Sequence, residues 1–223
     1  MLRISCLHTA ETSIAIFEAA RRQLRLDDVV LRHRVRSDLL AAAEKSGAAI
    51  EPVLQRTAAE LGVLAGAADA VLLTCSTLGP AAAIAQPAHR VPILRVDQAL
   101  ATEGVKHGGM VIVLCAAGTT IAPTRALFER AALLTGAEVE VRLVPGAWER
   151  FKSGDQDAYL AMIADAADVA ACEGAATIAL AQASMTGAAK LCREASPLTS
   201  PAVGLAAVVA AAQAALIKPA EPS

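Results

Sequence analysis

Two stretches of this chain recur at a single spacing. Thr12-Ser13-Ile14 is echoed by Thr119-Thr120-Ile121, and Ala70-Val71-Leu72-Leu73-Thr74-Cys75-Ser76-Thr77 by Thr177-Ile178-Ala179-Leu180-Ala181-Gln182-Ala183-Ser184; positions 12 and 119, like 75 and 182, stand 107 residues apart. Ala-rich strands resemble one another by chance, but two separate segments keeping one offset is what a duplicated folding unit leaves behind. Any fold proposed for this chain has to be one that can be built twice.

Each half alternates short apolar runs with helical patterns. Strands are expected at Leu2–Leu7, Val29–Val35, Ala70–Thr74, Ile93–Val96, Met110–Cys115, Val139–Val144 and Thr177–Ala181, with a short one near Leu198. Helices are expected at Thr12–Gln23, Pro52–Leu64, Asp97–Val105, Thr120–Thr135, Gln156–Cys172 and Val203–Ile217, while Leu39–Gly47 and Trp148–Asp157 read as flexible connectors. Strands that are apolar throughout belong to parallel sheets covered on both faces. The expected fold is therefore α/β: two pseudo-symmetric doubly wound parallel-sheet lobes of about four strands each, with the site in the cleft between them, since such sheets bind ligands outside the carboxyl ends of their strands. The lobes are expected at residues 1–97 with 204–223, and at residues 98–203.

Composition removes several classes of function. Lys and Arg number 20 against 22 Asp and Glu, a net charge of −2, so neither nucleic acid nor an anionic membrane is an expected partner. One Trp, one Tyr and three Phe leave little for a base-stacking platform. Val203–Ile217, the most apolar stretch, is interrupted by Gln213, is short for a bilayer and reads as a buried terminal helix. The first residues lack the basic head and cleavage site of a signal peptide. Five cysteines, an odd number with no CxxC pair, point to free thiols in a reducing cytoplasm. The four histidines do not cluster with Cys or carboxylates at ligand spacing, so no metal site is expected.

The segment Thr74-Cys75-Ser76-Thr77-Leu78-Gly79-Pro80 carries the most chemistry. It follows an apolar strand and opens into the helix-like run Ala81–Ile84, which places Cys75 at a strand end close to a helix N-terminus, where free amides and the helix dipole favour a thiolate. Ser76 and Thr77 add hydroxyls suited to a carboxylate. A small buried core residue is the plainer account of Cys75. Cys6, Cys172 and Cys192 read as filler, and Cys115 closes a strand where it could border the cleft. Gly118-Thr119-Thr120 before a helix reads either as an anion cradle or as an ordinary Thr cap. By the repeat, Thr12 and Ser13 hold the same place in the first half, and His8 and Thr9 end the first strand. Arg21-Arg22 and Arg32–Arg36 read as solvated faces. No GxGxxG follows the first strand, where the turn is His8-Thr9-Ala10-Glu11-Thr12, so a dinucleotide site is disfavoured.

The Cys75 segment, with Ala181-Gln182-Ala183-Ser184-Met185 one repeat later, resembles the aspartate/glutamate/hydantoin racemase superfamily; His8-Thr9, Arg95-Val96-Asp97-Gln98-Ala99-Leu100 and Gly118-Thr119-Thr120-Ile121-Ala122-Pro123-Thr124 support the likeness, which spans nearly the whole chain. The resemblance implies a site without cofactor, a small carboxylate-bearing substrate and a homodimer. In such racemases a cysteine from each lobe works on one face of the substrate α-carbon; related members are decarboxylases and cis–trans isomerases. It implies that Cys75 is the first-lobe cysteine and that Ser76, Thr77, Thr119, Thr120 and Ser184 hold carboxylate oxygens, with His8, Thr12, Ser13 and Ala183 lining the site. Gln182 stands where the second cysteine would be, and an amide neither takes nor gives a proton usefully near neutral pH. A one-thiol enzyme and a binding protein that has lost catalysis both stay open.

Overall fold

The computed structural model describes residues 1–217; the end of the first lobe as read from sequence, residues 218–223, lies outside the described residues. The chain forms two compact units, Met1–Val96 joined by the chain from Gly204, and Asp97–Val203.

In the first unit the order is β1 (Leu2–His8), α1 (Thr12–Gln23), β2 (Val29–Val35), α2 (Ser37–Ser46), α3 (Glu51–Ala65), β3 (Ala70–Leu73), α4 (Ala81–Ala85) and β4 (Ile93–Arg95). The second runs α5 (Val96–Gly104), β5 (Met110–Cys115), α6 (Ile121–Ala132), β6 (Glu138–Leu143), α7 (Ala147–Ser153), α8 (Gln156–Cys172), β7 (Thr177–Leu180) and β8 (Leu198–Thr199), and α9 (Ser200–Ile217) leads back to the first. Both sheets are four-stranded and parallel throughout, in the orders β2-β1-β3-β4 and β6-β5-β7-β8. The two orders are the same once β5 is matched to β1, as duplication requires.

The apolar strands follow from this burial. In β5, Ile112 and Leu114 pack with Tyr159, Ile163 and Ala167 of α8, while Val111, Val113 and Cys115, pointing the other way, pack with Leu100 of α5, Val105 just after it and Phe128 of α6. With no face left to water, alternation disappears and the run reads as continuous hydrophobicity. In the first unit, Leu7, Val71 and Leu73 meet Leu54, Ala58 and Leu61 of α3. Each such fully buried Leu contributes roughly 1.5–3 kcal/mol.

Two segments depart from the sequence reading. Residues 39–47, expected to be a connector, lie mostly in α2, whose Leu39 and Ala43 are buried one helical turn apart. Residues 148–157 contain α7, bounded by Gly146 (φ +77°) and Gly154 (φ +80°) and carrying stacked Trp148 and Phe151. Nor is the Arg32–Arg36 run simply solvated, for Arg36 clamps Asp38 at 2.8 Å and Glu60 at 2.6 Å. Helix α9 is long and apolar enough to cross a membrane by length and composition; Leu205, Val208 and Ala212 along it are buried, whereas residues 213–217 are exposed, so the expected buried terminal helix is buried only in part.

Candidate active site

Strand order alone selects one place in each unit. In the order β2-β1-β3-β4 the chain leaves β1 toward one side and reaches β3 on the other, so a crevice opens at the carboxyl ends of β1 and β3. Those ends are His8-Thr9 and Thr74-Cys75. The matching crevice in the second unit lies between Cys115-Ala116 and Ala181-Gln182. Topology therefore delivers Cys75 and Gln182 to equivalent edge positions.

At the first edge Cys75 is half-buried, Ser76 is half-buried and Thr77 is exposed. The turn is tightened by the Gly79 N–H donating to the Ser76 carbonyl at 3.0 Å. Helix α4 has only five residues and starts six residues after Cys75, so its dipole is too small and too distant for the thiolate-stabilising role expected of it. A cation does lie near this loop, although the sequence reading left it out of the candidate residues. A Cβ added at Gly79 would run into the guanidinium of Arg95, at the carboxyl end of β4. The signal was in the sequence: a glycine in the loop and an arginine closing the next strand.

His8 is not open to a substrate. It is fully buried, with Nδ1 2.8 Å from Thr74 Oγ1 and Nε2 2.8 Å from His33 Nδ1. Burial first, then the nearby His33, pulls its pKa down to about 4. Thr12 is exposed and Ser13 half-buried at the start of α1, where Glu11 provides no side-chain cap.

At the second edge the Gln182 side-chain oxygen accepts the Ala116 N–H at 2.7 Å. That bond fixes the amide plane and leaves the NH2 as its donating end. Thr119 is exposed, whereas the Thr120 hydroxyl donates back to the Ala117 carbonyl at 2.7 Å, so its hydrogen is already used and its lone pairs remain. Ser184 Oγ is 2.8 Å from the Tyr159 hydroxyl, and Ala183 opens the 3-10 turns of residues 183–190. Cys115 is fully buried; burial raises its pKa, and hydrogen bonding with Thr120 and Thr124 partly offsets this. A residue missed in the sequence is Ser200, whose buried hydroxyl has no hydrogen-bond partner among the described residues, at the first turn of α9, after β8. The Thr199-Ser200-Pro201 pattern of a helix start pointed there. A shallow hollow walled by Asp165, Asp168, Glu173 and Arg193 opens at the end of α8 that precedes β7, the opposite end of this sheet from Gln182.

The expectation that histidines stay apart from other ligand-type residues also changes. Cys6, His8 and His33 bring their ligating atoms within 4.8 Å of one another. Chain spacing hides this, because His33 reaches Cys6 through the parallel register of β1 and β2.

Fold and edges define a duplicated, doubly wound α/β protein with one thiol and one fixed amide at matching strand ends. No protein-family model matches the chain, and no curated protein sequence does. Solved structures do. An aspartate racemase from Picrophilus torridus superposes with a TM-score of 0.73 at 11% identity, over 96% of this chain and 95% of that one. An aspartate racemase homologue from Pyrococcus horikoshii OT3 gives 0.67 at 14%, over 96% and 100%. A maleate isomerase from Pseudomonas putida S16, solved with maleate, gives 0.55 at 15%, over 95% and 92%. The chain has the fold of the Asp/Glu racemase structures.

Proposed function

We propose that the chain is a cofactor-independent isomerase of the Asp/Glu/hydantoin racemase type, acting at the carbon α to a carboxylate in a small amino acid or related acid. The observation that carries this is the pair of equivalent strand ends, Cys75 on one unit and Gln182 on the other, in a fold shared with racemases. Cys75 is the acid–base group or nucleophile. Ser76, Thr77, Thr119 and the Gln182 NH2 offer hydrogen bonds to carboxylate oxygens, and the Arg95 guanidinium adds positive charge near the Cys75 loop.

When the Cys75 thiolate takes the α-proton, the C–H bond breaks, an S–H bond forms and the electron pair moves into the carboxylate as an enediolate. Donors aimed at those oxygens are worth roughly 3–4 kcal/mol each in well-ordered sites. Returning the proton from the same thiol restores the original configuration. Inversion needs a donor on the other face, and a carboxamide cannot serve.

Gln182 favours a second reading within the same class, cis–trans isomerisation. Here the thiolate adds to an activated double bond: an S–C bond forms, the π pair moves toward the conjugated carboxylate, the remaining single bond rotates, and expulsion of the thiolate restores the alkene. This needs one thiol and no second proton donor.

Incubation in deuterated water with aspartate, glutamate, hydantoins and maleate, followed by NMR, separates these readings. Exchange at the α-carbon supports proton transfer, and maleate conversion supports addition. Cys75→Ala is expected to remove either activity, with a loss of at least about 100-fold for an acid–base group. A folded Cys75→Ala protein with full turnover overturns the proposal.

A further inference from the structure

Below the first edge lies a group of side chains that this reaction does not use. Cys6 and His8 alternate along β1 and so share a face, and the register sets His33 of β2 opposite Cys6. His8 Nε2 and His33 Nδ1 point at each other across 2.8 Å. The outer ring nitrogens are both held: His8 Nδ1 by Thr74 Oγ1 at 2.8 Å, and His33 Nε2 by the Glu18 carboxylate at 3.3 Å.

Those outer partners decide what the inner nitrogens can do. A carboxylate only accepts, so His33 Nε2 carries a hydrogen. The Thr74 hydroxyl has two partners, His8 Nδ1 and the Leu7 carbonyl at 3.0 Å. Turned to His8, it leaves a neutral chain with one proton between the rings. Turned to Leu7, it accepts from His8 Nδ1–H, and the two inner nitrogens face each other with lone pairs that need a cation between them.

We propose that Cys6, His8 and His33 form a binding site for a zinc-class transition-metal cation, held by the Cys6 thiolate, His8 Nε2 and His33 Nδ1. Thiolate and imidazole are the donors such cations prefer. The outer shell is already built, because metal-binding histidines typically give their second N–H to a carboxylate or another acceptor, as His33 does to Glu18 and His8 to Thr74. The Cys6 thiolate offsets part of the dication's charge, while the Glu18 carboxylate is shared with Arg21 at 3.0 Å. Two metal–nitrogen bonds at a tetrahedral angle span roughly 3.3 Å, so the rings need to part only slightly from their present contact. Cys6 and His8 are sealed, and the His33 side chain, 12% exposed beside Glu18 of α1, marks the way in.

The test uses full-length, untagged, chelator-treated protein titrated with Co²⁺, with Zn²⁺ as competitor. One Co²⁺ per chain is expected, with a thiolate-to-cobalt charge-transfer band that Zn²⁺ removes. Cys6→Ser abolishes the band, and Glu18→Gln weakens binding about 10- to 100-fold. Cys172→Ser, at an exposed thiol, leaves it intact. His33→Gln and Glu18→Gln, at the accessible rim, keep the experiment readable if the buried Cys6→Ser variant does not fold. Folded wild-type protein that binds neither ion stoichiometrically, or a band that survives His33→Gln at full affinity, overturns the proposal and leaves a proton alone between the rings.

Discussion

Tyr159 is the only tyrosine in the chain, fully buried in α8, and its hydroxyl meets Ser184 Oγ at 2.8 Å. Burial pushes its pKa up to about 12, the Ser184 hydrogen bond opposing. A phenol held neutral by the fold contributes stability that is complete below the unfolded value near 10 and is lost as pH rises from there through about 12. With one tyrosine, phenolate absorbance reads this directly: a midpoint near 12 in native protein and near 10 in denaturant is expected. Tyr159→Phe should cost about 1 kcal/mol in urea unfolding and release Ser184. A native midpoint near 10 would mean that the ring is wet. Single residues also show how far sequence reaches. Cys75 and Gln182 could be paired from the repeat because each follows a mainly apolar strand and the two stand 107 residues apart. His8, His33 and Glu18 could not, because their contacts depend on strand register and on where α1 lies over the sheet, neither of which a chain spacing states.

Among the elements, α9 and the start of α5 approach each other closely. Gly204 sits in the first turns of α9, buried, and a Cβ there would stand 2.6 Å from Val96 Cγ2 at the start of α5. Alanine gains roughly 1 kcal/mol over glycine in a helix interior, while overpacking a filled site costs about 1–3 kcal/mol. The clash should win because both partners are buried and Val96 is β-branched with little freedom to turn away. Gly204→Ala is therefore expected to lower the urea midpoint; an unchanged or raised midpoint would show that Val96 yields. Elements that bury an unbroken apolar run, such as β3 and β7, were plain in the sequence. Helices α2 and α7 were not. The first buries only Leu39 and Ala43, and the second gains its ends from two left-handed glycines, so neither carries enough periodic signal without the helix it packs on, α3 and α8 respectively.

For the whole molecule the decisive property is that one unit was written twice and then allowed to diverge at its edges. The strand orders match one for one, yet the tie across each crevice differs: an imidazole–hydroxyl contact, His8 to Thr74, in the first unit, and an amide oxygen on the Ala116 N–H in the second. Gln182→Cys places a thiol at the position equivalent to Cys75. It removes the bond to Ala116, a loss of about 1 kcal/mol, and should leave the fold intact, since Gln182 is only half-buried. Under the proposed function, a substrate that exchanges its α-proton with retention in the wild type is then expected to be inverted as well, because a thiol at position 182 can give and take a proton where a carboxamide cannot. Chiral chromatography of substrate recovered from deuterated water reads both outcomes together, label uptake and handedness. Inversion that appears in Gln182→Cys and vanishes again in Cys75→Ala/Gln182→Cys would make the two edges halves of one site. A folded Gln182→Cys protein that exchanges but never inverts would confine the chemistry to the first unit and leave the second as a binding surface.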